Sequence, residues 1–247
     1  MKLIFKTLQA IRHYLYRFFR PRAGMNRVFD QQARSISEVE FVAIAIKSVG
    51  NAQRHVGILH RVSNKSVQLL HLAWHQDLQN SPPPTDYHWV DLAINARRLK
   101  HVAARCRQVF RANPDGLPYA FSSPNDCFDN HTGAYLLGST QLGLTCASFV
   151  LAVFRTAGIQ LIDDTSWPIS RDGDHEWREH ILSMLEHGIP SLGIRPAPVE
   201  HVDAVRSGFG SVRIRPEEVA GSGAVRQLPA DFHTVEPIAR YILQRLA

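Results

Sequence analysis

Three apolar runs close together in the first third of the chain constrain its fold most. They are Phe41-Val42-Ala43-Ile44-Ala45-Ile46, His55-Val56-Gly57-Ile58-Leu59-His60 and Val67-Gln68-Leu69-Leu70-His71-Leu72. Each has the length and β-branched content of a strand, and the first lies in a β-rich stretch over 37–48. The turn-prone Ser63-Asn64-Lys65-Ser66 makes the last two a hairpin. A proline-rich loop at 81–84 and a strand over His88-Trp89-Val90-Asp91-Leu92 follow. The pattern predicts a small antiparallel sheet. It also sets a geometric demand. Side chains alternate faces along a strand, so His55 and His71 share a face only if the hairpin loop has an odd residue count or contains a bulge. With Val62 paired to Ser66, His55 faces Ala73 and His71 becomes its diagonal neighbour.

A second feature is Gly143-Leu144-Thr145-Cys146-Ala147-Ser148-Phe149-Val150. Thr145 is a good N-cap, Phe149, Val150, Val153 and Phe154 recur at helical spacing, and Gly158 closes the run. Cys146 therefore falls in the first helical turn. There the unpaired N–H groups and the helix dipole favour thiolate, the form that attacks carbonyls. The alternative at this point is a small buried hydrophobe, since free cysteine is among the most buried residue types.

The remaining chain reads as an amphipathic helix over 95–111, a loop over 113–133, a helix at about 175–187, a strand at 211–215, a helical start at Pro216-Glu217-Glu218 and a closing helix near 235–246. Gly221-Ser222-Gly223 has the composition of a flexible linker but is too short to separate domains. Arg97, Arg98, Lys100, Arg105 and Arg107 lack interleaved aromatics, so they read as a solvated face and no nucleic-acid partner is expected. Residues 1–20 form a basic amphipathic helix, ended by Pro21-Arg22-Ala23-Gly24. It either lies on an anionic membrane or a partner's groove, or packs on its own domain. The division is thus 1–24 for that helix and 25–247 for one domain.

Composition narrows the chemistry. With 28 basic against 22 acidic residues the formal charge is +6, which favours anionic neighbours without choosing among them. Three cysteines, Cys106, Cys127 and Cys146, make neither a disulfide framework nor a thiolate zinc site. They suit a reducing, cytoplasmic location, with the N-terminal helix allowing peripheral attachment to membrane. The sequence carries no cleavable signal and no apolar run of membrane-spanning length. No phosphate-cradling glycine loop, dinucleotide fingerprint or paired-carboxylate motif is present, so no cofactor is expected. His175 and His180 imitate a zinc-protease pair. Five residues turn a helix by about 500°, which leaves those imidazoles on different faces, and no metal is expected.

The residues HVGIL, a turn and LLHLAW resemble the paired-histidine hairpin of NlpC-type cell-wall peptidases within the papain-like cysteine hydrolases, and LTCASFVLAVFRTAGIQL resembles their nucleophile helix. His55 precedes Cys146, which is the order of the circularly permuted branch that includes lecithin retinol acyltransferase-like enzymes and bacterial permuted amidases. The late SVRIRPEEVAGS resembles a strand and turn near the end of some permuted bacterial members. The resemblance implies an α+β, papain-like fold with its sheet packed on the nucleophile helix. It implies Cys146 as nucleophile, His55 as base and His71 as the group orienting the base, with His75 the rival for that third place. The Cys146 N–H plus one further donor, with Gln141 the candidate, would meet the oxyanion. The activity implied is amide cleavage in a peptide or peptidoglycan stem peptide through a thioester. The alternatives are a lipid-directed acyltransferase or thioesterase with the same three residues, and an inert adaptor on the same scaffold.

Overall fold

The computed structural model describes residues 24–50, 53–63, 66–121, 126–138 and 143–247. The N-terminal helix expected over 1–20 and Gln141 lie outside them.

Six antiparallel strands form one sheet: β1 (Val28–Phe29), β2 (Val42–Ser48), β3 (Arg54–Ser63), β4 (Ser66–Trp74), β5 (Asp77–Ser81) and β6 (His88–Asp91), in the order β1-β6-β2-β3-β4-β5. The described residues hold six α-helices: α1 (Ala96–Ala112), α2 (Cys146–Thr156), α3 (Asp174–His187), α4 (Val199–Ser207), α5 (Pro216–Gly223) and α6 (Phe232–Leu246). The protein is therefore α+β, as expected.

Alternation along the strands builds two cores. Val42, Ile44, Ile46, Val56, Ile58, Leu70 and Leu72 face the larger one, where α2 lies against β3 and β4. Ala43, Ala45, Leu59 and Leu69 face a smaller cluster with Tyr87 and Trp89. A sheet buried on both faces tolerates no slip in register, because a shift of one residue would exchange the two sets. Helix α2 has no solvent face, since Cys146 through Phe154 are all buried. Its start is fixed by a capping box in which Thr145 accepts from the Ser148 N–H at 3.1 Å and the Ser148 hydroxyl accepts from the Thr145 N–H at 2.8 Å. Such a cap contributes about 1 kcal/mol.

One expectation fails in the last third of the chain, and one stretch of linker-like composition is helical. Residues 211–215 form no strand: Arg213 and Arg215 both bond the buried Asp174, at 3.0 and 2.9 Å. This buried ionic hub takes the place of a strand ladder. Gly221-Ser222-Gly223 is no linker but the buried end of α5. A Cβ on Gly223 would lie 2.5 Å from Leu92 Cδ2, so glycine is needed there for close helix–sheet packing.

Candidate active site

The hairpin of β3 and β4 sets the site. Its register pairs Ile58 with Leu70, Leu59 with Leu69, His60 with Gln68 and Arg61 with Val67, then shifts between Arg61 and Ser63. That irregularity is the bulge the histidine parity requires. It leaves His71 diagonal to His55, and the two imidazoles meet with 2.8 Å between His55 Nε2 and His71 Nδ1, their rings edge-on. Gly57 makes the approach possible, because a Cβ there would lie 2.8 Å from His71 Cβ.

The ladder between β3 and β4 ends at Ile58 and Leu70, although both strands continue. This opening admits the thiol. The Arg61 N–H bonds Phe41 O on the β2 side, so odd-numbered amides of β3 point toward β2 and even-numbered ones toward β4. The Val56 N–H thus points into the gap where the ladder has parted, and there it reaches the Cys146 sulfur. Cys146, arriving from the larger core at the head of α2, is held one residue from His55. All three side chains line one cleft of about 930 Å³, together with Tyr87, Tyr119, Trp177 and Arg213. The sulfur is not hydrogen-bonded to either imidazole.

The electrostatics reverse one expectation. Burial pushes the Cys146 thiol up to about 11, and the Val56 and Ala147 N–H groups and the Arg213 charge offset only part of that rise. The helix mouth therefore does not make a resting thiolate, because desolvation outweighs the dipole. His55 is lowered to about 3 by burial, then by the His71 and Lys47 charges. His71 is lowered to about 4, chiefly by burial. At neutral pH the three groups are uncharged: a thiol, and two imidazoles sharing a proton.

Tyr119 is the residue that sequence reasoning missed. Its side chain lines the cleft beside Cys146, with the phenol near the Cys146 backbone N–H. The only signal was its place in the loop leading to α2. Arg213 also went unremarked; it lies over the Trp177 ring at 3.9 Å and its charge reaches the thiol. His75 is not the partner of His55. Its Nδ1 instead accepts from the Tyr119 N–H at 3.3 Å. Cys106 and Cys127 are buried thiols outside the cleft lining, and His175 and His180 are exposed. Among the described residues no group of three or more His, Cys, Asp or Glu side chains could hold a metal ion, and no helix is long and apolar enough to cross a membrane.

Fold and site together define an α+β protein with a buried cysteine and a bonded histidine pair in one cleft. No family model, curated protein or solved structure matches this chain.

Proposed function

We propose that this protein is a cysteine hydrolase with a permuted papain-like arrangement, acting on an amide bond through a thioester acyl-enzyme. The observation that carries the reading is the His55–His71 bond of 2.8 Å at the parted end of β3 and β4, in the cleft that Cys146 also lines. A half-buried polar pair facing a cleft has a small structural yield, whereas a base held by a second imidazole is what nucleophilic catalysis by a thiol requires.

In this mechanism His55 Nε2 donates to His71 Nδ1, which leaves His55 Nδ1 bare to take the thiol proton as the sulfur attacks a bound carbonyl. His71 holds the ring and its tautomer. The proton moves during attack because thiol and imidazole are both neutral at rest. The thioester then forms as the amine departs with the proton from His55, and water attacks in the second half. The Cys146 N–H serves the oxyanion, and the Tyr119 hydroxyl, which lies near that N–H, is a second donor; Gln141 lies outside the described residues.

The apolar side chains on the cleft wall, among them Trp74, Trp177, Ile181, Ile214 and Leu243, favour one second reading. In it the same three residues transfer or hydrolyse a lipid acyl group, with residues 1–20 docking the enzyme on anionic membrane. The test is intact-mass detection of an acyl adduct on Cys146 after incubation with stem-peptide fragments and, separately, with acyl thioesters. An adduct absent from Cys146→Ser and His55→Ala supports the enzyme, and the donor that forms it selects the reading. Failure of both donor classes leaves the inert adaptor.

A further inference from the structure

The segment carrying Tyr119 is held on two sides. On one, Pro118 O accepts from the Leu144 N–H at 3.0 Å and the Ala120 N–H donates to Leu144 O at 3.3 Å. This parallel bridge ties the segment to the residues just before Cys146. On the other side the Gln76 N–H, just past β4, bonds Leu117 O at 2.8 Å, and among the described residues no strand pairs with residues 118–120. There His75 Nδ1 accepts from the Tyr119 N–H at 3.3 Å, and His201 Nε2 donates to Tyr119 O at 2.9 Å. His75 follows β4 and His201 lies in α4, and their rings contact each other with centroids 4.3 Å apart. One imidazole supplies the acceptor and the other the donor that a neighbouring strand would supply.

We infer that His75 and His201 are positioning residues that, by taking the place of a strand on the open edge of residues 118–120, hold the Tyr119 phenol in the cleft beside the Cys146 N–H. Each imidazole must keep a defined tautomer: bare Nδ1 on His75, protonated Nε2 on His201. The Trp74 ring, 4.8 Å from that of Tyr119, fixes the side chain, while the two histidines fix the backbone it hangs from. Trp74 and His75 are adjacent, so the end of β4 grips Tyr119 by ring and by main chain. The same strand carries His71. The end of β4 therefore sets both the orienting imidazole and the phenol in the cleft that Cys146 lines.

The catalytic meaning of this clamp rests on Cys146 being the nucleophile, but its test does not. Full-length protein labelled with 15N-cysteine gives three amide signals, and Cys146→Ser identifies the one from Cys146. Tyr119→Phe defines the shift of that signal when the phenol is lost. His75→Leu is expected to move the Cys146 amide in the same direction while the Cys106 and Cys127 amides stay in place. His75→Asn, whose Oδ1 can stand where Nδ1 stands, is expected to leave all three at their wild-type positions. A role limited to packing of the imidazole ring against His201 would not be rescued by asparagine. An unmoved Cys146 amide in His75→Leu, or equal shifts at all three cysteines, overturns the clamp. If His75→Leu does not fold, His75→Gln, with its acceptor one bond further out, must give the displaced signal. The expected amide pattern without any acyl adduct on Cys146 removes the hydrolase reading and leaves the clamp standing.

Discussion

The resting charge state of Cys146 gives the sharpest test of the site. Burial raises the thiol from 9.0 to about 11, which corresponds to about 3 kcal/mol favouring the thiol over the thiolate. At pH 7 about one molecule in 10⁴ then carries the thiolate, roughly a hundredfold less than an unperturbed cysteine. Iodoacetamide reacts with thiolate alone. Its rate at Cys146, followed by intact mass and peptide mapping, should therefore be about a hundredfold below that of free cysteine at pH 7. It should climb tenfold per pH unit up to pH 10. His55→Ala should leave this profile almost unchanged, since His55 is absent from the groups that set the thiol's acidity. The same variant should slow acylation by a bound carbonyl donor about 10²–10⁴-fold, because there the imidazole takes the proton during attack. The combination separates an on-demand base from a preformed thiolate–imidazolium pair. An alkylation rate that is flat between pH 5 and 8, and that collapses in His55→Ala, would refute the reasoning.

Other expectations follow from particular contacts. Gly57→Ala places a methyl 2.8 Å from His71 Cβ; overpacking should cost about 1–3 kcal/mol in chemical denaturation, and acyl-adduct formation should fall more than stability does as the imidazole pair is pushed apart. Asp174→Asn removes the buried charge that pairs Arg213 and Arg215 and should destabilise by about 3–5 kcal/mol in the same assay. Burial opposes ionisation of that carboxyl, but the Arg215 hydrogen bond and the charges of Arg215, Arg213 and Arg171 hold it below its usual value. His75 is lowered from 6.5 to about 4, mainly by burial and then by His201. The unfolded chain thus takes up the proton first as pH falls, so stability present above pH 6.5 is lost down to about pH 4. A thermal-melt series from pH 7 to 4 should show a shallower decline in His75→Asn than in wild type.

The hairpin histidines were legible because strand alternation is a rigid rule. His55 and His71 sit in runs whose apolar neighbours fix the faces, so only the loop's parity remained open, and the shift after Arg61 supplied it. Helix α2 was equally legible from Thr145 and the apolar spacing behind it. The thiol's acidity was not. Sequence marks the helix mouth, whose dipole favours thiolate, but not how completely the surrounding chain excludes water from Cys146, and desolvation is the larger effect. Residues 211–215 misled for a related reason. Val212 and Ile214 alternate with Arg213 and Arg215 as on a half-buried strand, yet those guanidinium groups converge on a carboxylate at the start of α3, a long-range pairing that no local pattern announces.

Tyr119 shows why a loop can be part of a site without looking like one. Residues 117–120 lack strand periodicity because their partners are dissimilar: Leu144 on one edge, and the Gln76 N–H and two imidazoles on the other. Gly143 is the local trace of this arrangement, since a Cβ there would lie 2.3 Å from Pro118 O. Only glycine lets the two segments run this close, and that closeness brings the phenol to the first N–H of α2. The donors around the sulfur thus come from separate levels of organisation: the Val56 N–H from a parted strand ladder, the Cys146 N–H from a helix start, and the Tyr119 hydroxyl from a loop pinned by His75 and His201. A substitution that loosens any one of these elements should change the chemistry at Cys146 while leaving the thiol and both hairpin histidines in place.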